Sequence, residues 1–297
     1  MTKSIMDIRP SKNERIYAVG DIHGCYNELL ALEKKIRESV GRSKFSKYKI
    51  VSVGDLCDRG PNANGVMEHF AKGALAGTHQ LILGNHEIFF MLAFIGFRPD
   101  LLEKARVPYS WFHRALVQMF PALHSSIESW RMSGGEIVFK SYLANIDNVK
   151  TWDKVPAEHL RLLFEAPLIL RTPKVIVSHA LIHEGDIEKL AQSDQEALSN
   201  KEFIADKETN QAVFRSLWER KQAETRIDTL RRHVSGHTPM KAVLRDLKLG
   251  TVQIDTGAVF GQKLTAIDLR SFRVLSVPSH YNCKAVAKEA ELPSKKA

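Results

Sequence analysis

Apolar and polar positions along this chain follow two alternating rhythms. Short runs such as Ile16-Tyr17-Ala18-Val19, Ile50-Val51-Ser52-Val53 and Gln80-Leu81-Ile82-Leu83 read as buried strands. Between them the spacing becomes helical. Residues Tyr26 to Val40 place Leu29, Leu32, Ile36 and Val40 on one stripe and stop at Gly41, and a second stripe carries Val66, Met67 and Phe70. Strand, polar loop and helix thus recur three times, which predicts a layered α/β architecture. The segment from Phe89 to Trp130 is mostly helical in pattern and reads as an insertion over one side of the sheet. Pro156 opens a further helix ending near Glu165, and Leu168–Leu170 and Val175–Val177 flank a turn at Thr172-Pro173-Lys174. Residues 185–231 are polar and mostly helical in pattern. Thr251–Asp255, Leu264–Leu269 and Phe272–Val277 complete the set as closing strands. One domain is expected over 1–283, with the helical insertion at 89–130 and a frayed basic tail at 284–297.

The polar residues at the strand ends change the picture. Gly54-Asp55-Leu56-Cys57-Asp58-Arg59-Gly60 puts two carboxylates and a guanidinium directly after a buried strand. Carboxylates suit divalent cations and an Arg fork suits phosphate oxygens. Four other strand ends deliver Asp21 with His23, Asn85 with His86, His179, and His237, and α/β sheets collect ligands beyond the carboxyl ends of their strands. The set makes sense as two adjacent metal positions. Asp21 and His23 would hold one ion, Asn85, His179 and His237 the other, with Asp55 bridging. Mixed nitrogen and oxygen ligands suit Mn²⁺, Fe or Zn²⁺ better than Mg²⁺ or Ca²⁺. His183 and the small Cys25 and Cys57 read as structural.

Composition narrows the class. With 297 residues and 44% hydrophobic content the chain can bury a large core. Its longest apolar run, Ile88 to Phe97, is about half of what a membrane helix needs. No signal-like stretch opens the sequence, and three unpaired cysteines are expected to be reduced thiols in the cytoplasm. The formal net charge of +9 comes from scattered residues, so it favours anionic substrates over a nucleic-acid partner.

Taken together, Gly20-Asp21-Ile22-His23-Gly24, the Asp55–Arg59 loop, Gly84-Asn85-His86-Glu87, Ser178-His179-Ala180 and Gly236-His237-Thr238-Pro239 resemble the signature of the PPP family of metal-dependent phosphoprotein phosphatases. Asp255–Phe260, Gly134-Gly135 with Ser141-Tyr142, and Trp218-Glu219-Arg220 further resemble its bacterial and bacteriophage branch, which includes phage lambda phosphatase. The resemblance implies a calcineurin-like fold, two packed mixed sheets flanked by helices. It implies Asp21, His23, Asp55, Asn85, His179 and His237 as ligands to two divalent ions, Mn²⁺ foremost. His86 would be the acid, oriented by Asp58, while Arg59 and Arg220 would hold phosphate oxygens. The implied reaction is in-line attack of a hydroxide bridging two metals on phosphoserine, phosphothreonine or phosphotyrosine of a protein or peptide. A sister branch, the symmetrical diadenosine tetraphosphate hydrolases, shares the first motif and the Asp255-Thr256-Gly257 region. Asp58 and Glu87 favour the phosphoprotein branch, and the hydrolase is the alternative. A pseudoenzyme that only binds phosphoproteins is disfavoured because no ligand of the pattern is missing.

Overall fold

The computed structural model describes residues 2–41, 47–121, 127–221 and 224–285. Eleven strands form among them, in two sheets. The first sheet contains β2 (Glu14–Val19), β3 (Lys47–Ser52), β4 (His79–Leu81), β10 (Lys263–Asp268) and β11 (Val274–Pro278), in the order β11-β10-β2-β3-β4. The second contains β1 (Ile5–Asp7), β5 (Ile169–Arg171), β6 (Val175–Ser178), β7 (Arg232–Ser235), β8 (Leu244–Asp246) and β9 (Thr251–Gln253), in the order β1-β5-β6-β7-β9-β8. Both sheets are mixed, and each contains three neighbouring parallel strands, β2-β3-β4 running to the edge of the first and β6-β7-β9 inside the second.

Alternation along the strands explains why both faces are apolar. Ile16, Ala18, Val51 and Val53 meet Val175, Val177, Val234, Val252 and Ile254 between the two sheets. Tyr17, Val19 and Ile50, the neighbours of opposite pleat, face the helical layer instead. The helices are α1 (Tyr26–Gly41), α2 (Ala63–Leu75), α3 (Asn85–Phe97), α4 (Pro99–Ala105), α5 (Trp111–Met119), α6 (Glu128–Met132), α7 (Gly135–Ser141), α8 (Ala157–Glu165), α9 (Asp186–Ser199) and α10 (Lys207–Trp218), of which α9 lies against β1 of the second sheet and packs with α10. Helix α1 lies on β10 and β11, and α2 on β4 and α8. None of the described helices is long and apolar enough to cross a membrane.

The hairpin around Pro173 and the three closing strands lie where the pattern puts them. Two strands had no such signal. β1 and β8 are three residues long and take their place by pairing with β5 and β9. The 89–130 segment is mostly helical where described, with a break at 106–110, yet its first helix begins at Asn85, inside the motif itself. Beyond α10 the polar 185–231 segment leaves helix, so Arg220 stands just past a helix end. The frayed tail expected from 284 lies outside the described residues from 286 onward.

Candidate active site

Parallel strands share a direction, so β2, β3, β4, β6, β7 and β9 bring Asp21, Asp55, Asn85, His179, His237 and Asp255 to one end of the double sheet. The turns that follow are tight. His23, Asp55, Asp58, Arg59 and His237 all have positive φ, between 44° and 68°, and they are five of the eight such non-glycine residues described. Left-handed backbone of this kind costs about 1–3 kcal/mol per residue and persists only where the surroundings impose it. Gly54 and Gly236 allow the close approach. A Cβ on Gly54 (φ 111°) would fall 2.8 Å from His179 Nδ1, and one on Gly236 would fall 2.1 Å from Asp21 Oδ1.

Two groups of ligand atoms result, and Asp55 belongs to both. Asp55 Oδ2 faces His23 Nε2 at 3.4 Å and His86 Nε2 at 3.9 Å, while Oδ1 faces His179 Nε2 at 3.5 Å. His179 Nε2, His237 Nδ1 and Asn85 Oδ1 are 3.0–3.1 Å from one another. Asp21 lies beside these groups, its carboxylate accepting the His237 N–H at 3.1–3.2 Å.

The chemistry of this donor set fits a cation. The Val53 carbonyl can only accept, so His179 Nδ1 carries the proton across their 3.0 Å contact. His23 Nδ1 is fixed in the same way by the Cys57 carbonyl at 2.7 Å. Each ring therefore turns a lone pair at Nε2 toward Asp55. Lone pairs and carboxylates pointed at one another repel unless positive charge lies among them. Burial worsens the conflict: it holds His179 and His237 down at about 3, His86 at about 4 and His23 well below its ordinary value. Burial also lifts Asp21 well above the usual carboxylate range, with Asp255 and Asp55 adding to it, and raises Asp255 to about 6. Divalent ions would favour neutral imidazole and ionised carboxylate together.

The remaining predicted residues surround these ligands. Arg59 donates to His23 Nε2 at 2.9 Å, and Arg220 Nε donates to His237 Nε2 at 3.3 Å, so one guanidinium rests on each histidine group. His86 Nδ1 lies 2.5 Å from Asp58 Oδ2. Asp58 is wholly buried and is raised well above the carboxylate range by that burial.

Two residues in this network had no structural role assigned from sequence, although Glu87 serves there as a branch signal. Trp130 donates its indole N–H to Asp58 at 2.9 Å, which links the helical insertion to the proposed acid. Nothing in the sequence marks that tryptophan apart from other core aromatics. The Glu87 carboxylate accepts the backbone N–H groups of Gly84, Asp55 and Leu56 at 2.9, 2.7 and 2.8 Å, and so pins the strand-end turn that presents Asp55. Glu87 stands at the third position of α3, where a carboxylate often serves the helix start. Buried beside Asp55, it is raised to about 8. His183 lies off the site near Glu219, and Cys25 and Cys57 are buried free thiols.

Two mixed sheets that deliver histidines and carboxylates from parallel strand ends define a metallophosphoesterase. The chain belongs to the calcineurin-like phosphoesterase family, whose model matches residues 14–241. It is therefore a phosphoester hydrolase of a class that uses divalent metals. It is 29% identical to the asymmetrical bis(5'-nucleosyl)-tetraphosphatase PrpE of Anoxybacillus flavithermus, over 88% of this chain and 93% of that one. The protein of the same name from Bacillus subtilis is 25% identical over 88% and 93%. A symmetrical bis(5'-nucleosyl)-tetraphosphatase of Escherichia coli is 36% identical over 80 residues, 27% of this chain and 26% of its own. Among solved structures, a cold-active protein-tyrosine phosphatase of a Shewanella species superposes with a TM-score of 0.53 at 19% identity, over 93% of this chain and 80% of that one. A serine/threonine phosphatase from Saccharomyces cerevisiae gives 0.51 at 12% identity, over 99% and 87%. These two likenesses speak to the fold alone.

Proposed function

We propose that this protein hydrolyses dinucleoside polyphosphates, cutting a phosphoanhydride off-centre to release a nucleoside monophosphate and the complementary polyphosphate. The reading rests on the asymmetrical tetraphosphatases, which align with 88% of this chain and 93% of their own length in the A. flavithermus protein. It reverses the order drawn from the motifs, where phosphoprotein came first and a symmetrical hydrolase second. Asp58 and Glu87 were the ground for that order. They serve the acid and the Asp55 turn, respectively, and both tasks are common to either substrate.

Divalent ions held by Asp55 with His23 and Asp21, and by Asp55 with Asn85, His179 and His237, would supply a Lewis acid that lowers the pKa of water toward neutrality. The chain's own side chains do the rest. Arg59 and Arg220 neutralise phosphate oxygens from two sides, and their contacts with His23 and His237 set them at the rim of the centre. With Nδ1 committed to Asp58, His86 keeps Nε2 free to hold a proton for the departing oxygen.

A second reading, hydrolysis of phosphomonoesters on proteins, is favoured by that same His86–Asp58–Trp130 chain, since a serine alkoxide needs a proton more than a nucleotide does. Chromatography of products decides between them. Diadenosine tetraphosphate with Mn²⁺ should give ATP and AMP, and chelation should stop the reaction. Two molecules of ADP would instead mark symmetrical cleavage. A larger kcat/KM on phosphoserine or phosphotyrosine peptides would overturn the dinucleotide reading.

A further inference from the structure

At the other end of β4 from the active site, a second set of ligand atoms converges. Glu33 of α1, His69 of α2 and His79, the first residue of β4, bring Oε1 and two Nε2 atoms together. Glu33 Oε1 lies 2.6 Å from His69 Nε2 and 2.9 Å from His79 Nε2. Asn85 is six residues further along the chain, at most ~20 Å at full extension, and β4 points away from His79 toward it. The cluster is largely buried, with side-chain exposures of 7% for Glu33, 10% for His79 and 22% for His69, which leaves one opening on the His69 side.

The His79 ring is seated from both sides. Its Nδ1 lies 2.9 Å from the Thr78 hydroxyl, and that hydroxyl has the Gly73 carbonyl as its own acceptor at 3.2 Å. Thr78 can therefore take the proton of Nδ1–H, the arrangement by which an outer partner orients a metal-binding imidazole. That tautomer leaves Nε2 as a lone pair beside Glu33 Oε1, open to a cation shared with the carboxylate, whereas in the other tautomer Nε2–H donates to Glu33 at 2.9 Å. Gly73 makes room for the ring: a Cβ there would lie 2.1 Å from His79 Nδ1. Glycine inside a helix costs roughly 0.5–1 kcal/mol relative to alanine, so α2 gives up stability to hold His79 in this place.

We propose that Glu33, His69 and His79 form a zinc site separate from the phosphoester centre. Two imidazoles and one carboxylate, with a fourth position left to water, are a familiar Zn²⁺ ligand set, and hard oxygen-seeking ions are poorly served by it. Zinc–ligand bonds of ~2.0–2.2 Å in a tetrahedron place ligand atoms ~3.3 Å apart. The present spacings open to that value by small side-chain rotations. Bound zinc would tie α1 and α2 to the start of β4 and so fasten the helical layer to the sheet edge.

The test is zinc binding by the full chain after chelator treatment and dialysis. Wild type should bind one more equivalent by elemental analysis than the His69→Gln/His79→Gln double variant or Glu33→Gln. Both variants should keep Mn²⁺-supported phosphoester hydrolysis, which shows that the fold and the active site survive. At ~100-fold excess over Kd, zinc should raise the wild-type Tm roughly 5 °C more than that of the variants. Equal zinc stoichiometry in folded wild type and variants would overturn the site. If the variants do not fold, the unaltered protein decides: zinc should slow diethyl pyrocarbonate labelling of His69 and His79 severalfold, read by peptide mass spectrometry, and unchanged labelling refutes the proposal.

Discussion

His86 shows how much of a residue's chemistry is set by its partners. Burial pushes its ring toward the neutral form, and with Asp55 opposing and Arg59 adding to it the ring is held at about 4. Asp58 takes one ring nitrogen, and Trp130 holds Asp58 in turn. A general acid is worth ~10²–10⁴-fold, and more as the leaving group becomes more basic. His86→Asn should therefore lower kcat most on alkyl phosphates and least on nitrophenyl phosphate, at unchanged metal content. Asp58→Asn should follow the same trend more weakly, and Trp130→Phe more weakly still. Aryl and alkyl phosphates compared under single-turnover conditions check this, and equal losses on both would assign His86 to phosphate positioning.

At the scale of elements, the site is a set of strand ends held in costly conformations. The turn after β3 carries Asp55, Asp58 and Arg59 at positive φ, and the start of α3 restrains it through Glu87. Removing that carboxylate leaves three backbone donors without their acceptor, at ~1–3 kcal/mol each if they stay buried. Glu87→Ala should destabilise the protein by at least ~3 kcal/mol in urea unfolding. Glu87→Gln keeps one oxygen and should cost less, while metal affinity falls in both as Asp55 loses its fixed turn. A stability within error of wild type for Glu87→Ala would mean that the turn holds itself.

Buried histidines away from the centre make stability of the whole molecule depend on pH. His113 of α5 lies among Phe112, Phe164 and Tyr109, takes the Ser110 N–H at Nδ1, and is held by burial at about 3. In the unfolded chain its value is near 6.5. Below 6.5 the unfolded state takes up a proton that the folded state refuses, so this group's contribution is complete above pH 6.5 and declines as pH falls toward about 3. The slope approaches about 1.4 kcal/mol per pH unit. The stability difference between wild type and His113→Phe should therefore move in favour of the variant as pH falls from 7.5 to 5. Urea unfolding at both pH values measures it, and a difference independent of pH would contradict the assignment.

The sequence by itself determined the strands whose apolar runs bury both faces, the amphipathic helices, and the order in which polar motifs leave the strands. Local pattern suffices for these because period and turn chemistry are properties of neighbours in the chain. It also determined the family, since Asp21, His23, Asp55, Asn85, His179 and His237 recur in one order with apolar runs before them. Only tertiary structure decided that His86 gathers with His23 and Asp55 in one group of ligand atoms, that Trp130 supports Asp58 from 72 residues away, and that Glu33 meets His69 and His79. It also decided the short strands β1 and β8, whose three residues carry no periodicity of their own. The physical reason is the same in each case. A side chain's charge state, partner and cost depend on which groups share its buried space, and packing brings those groups together from distant parts of the chain.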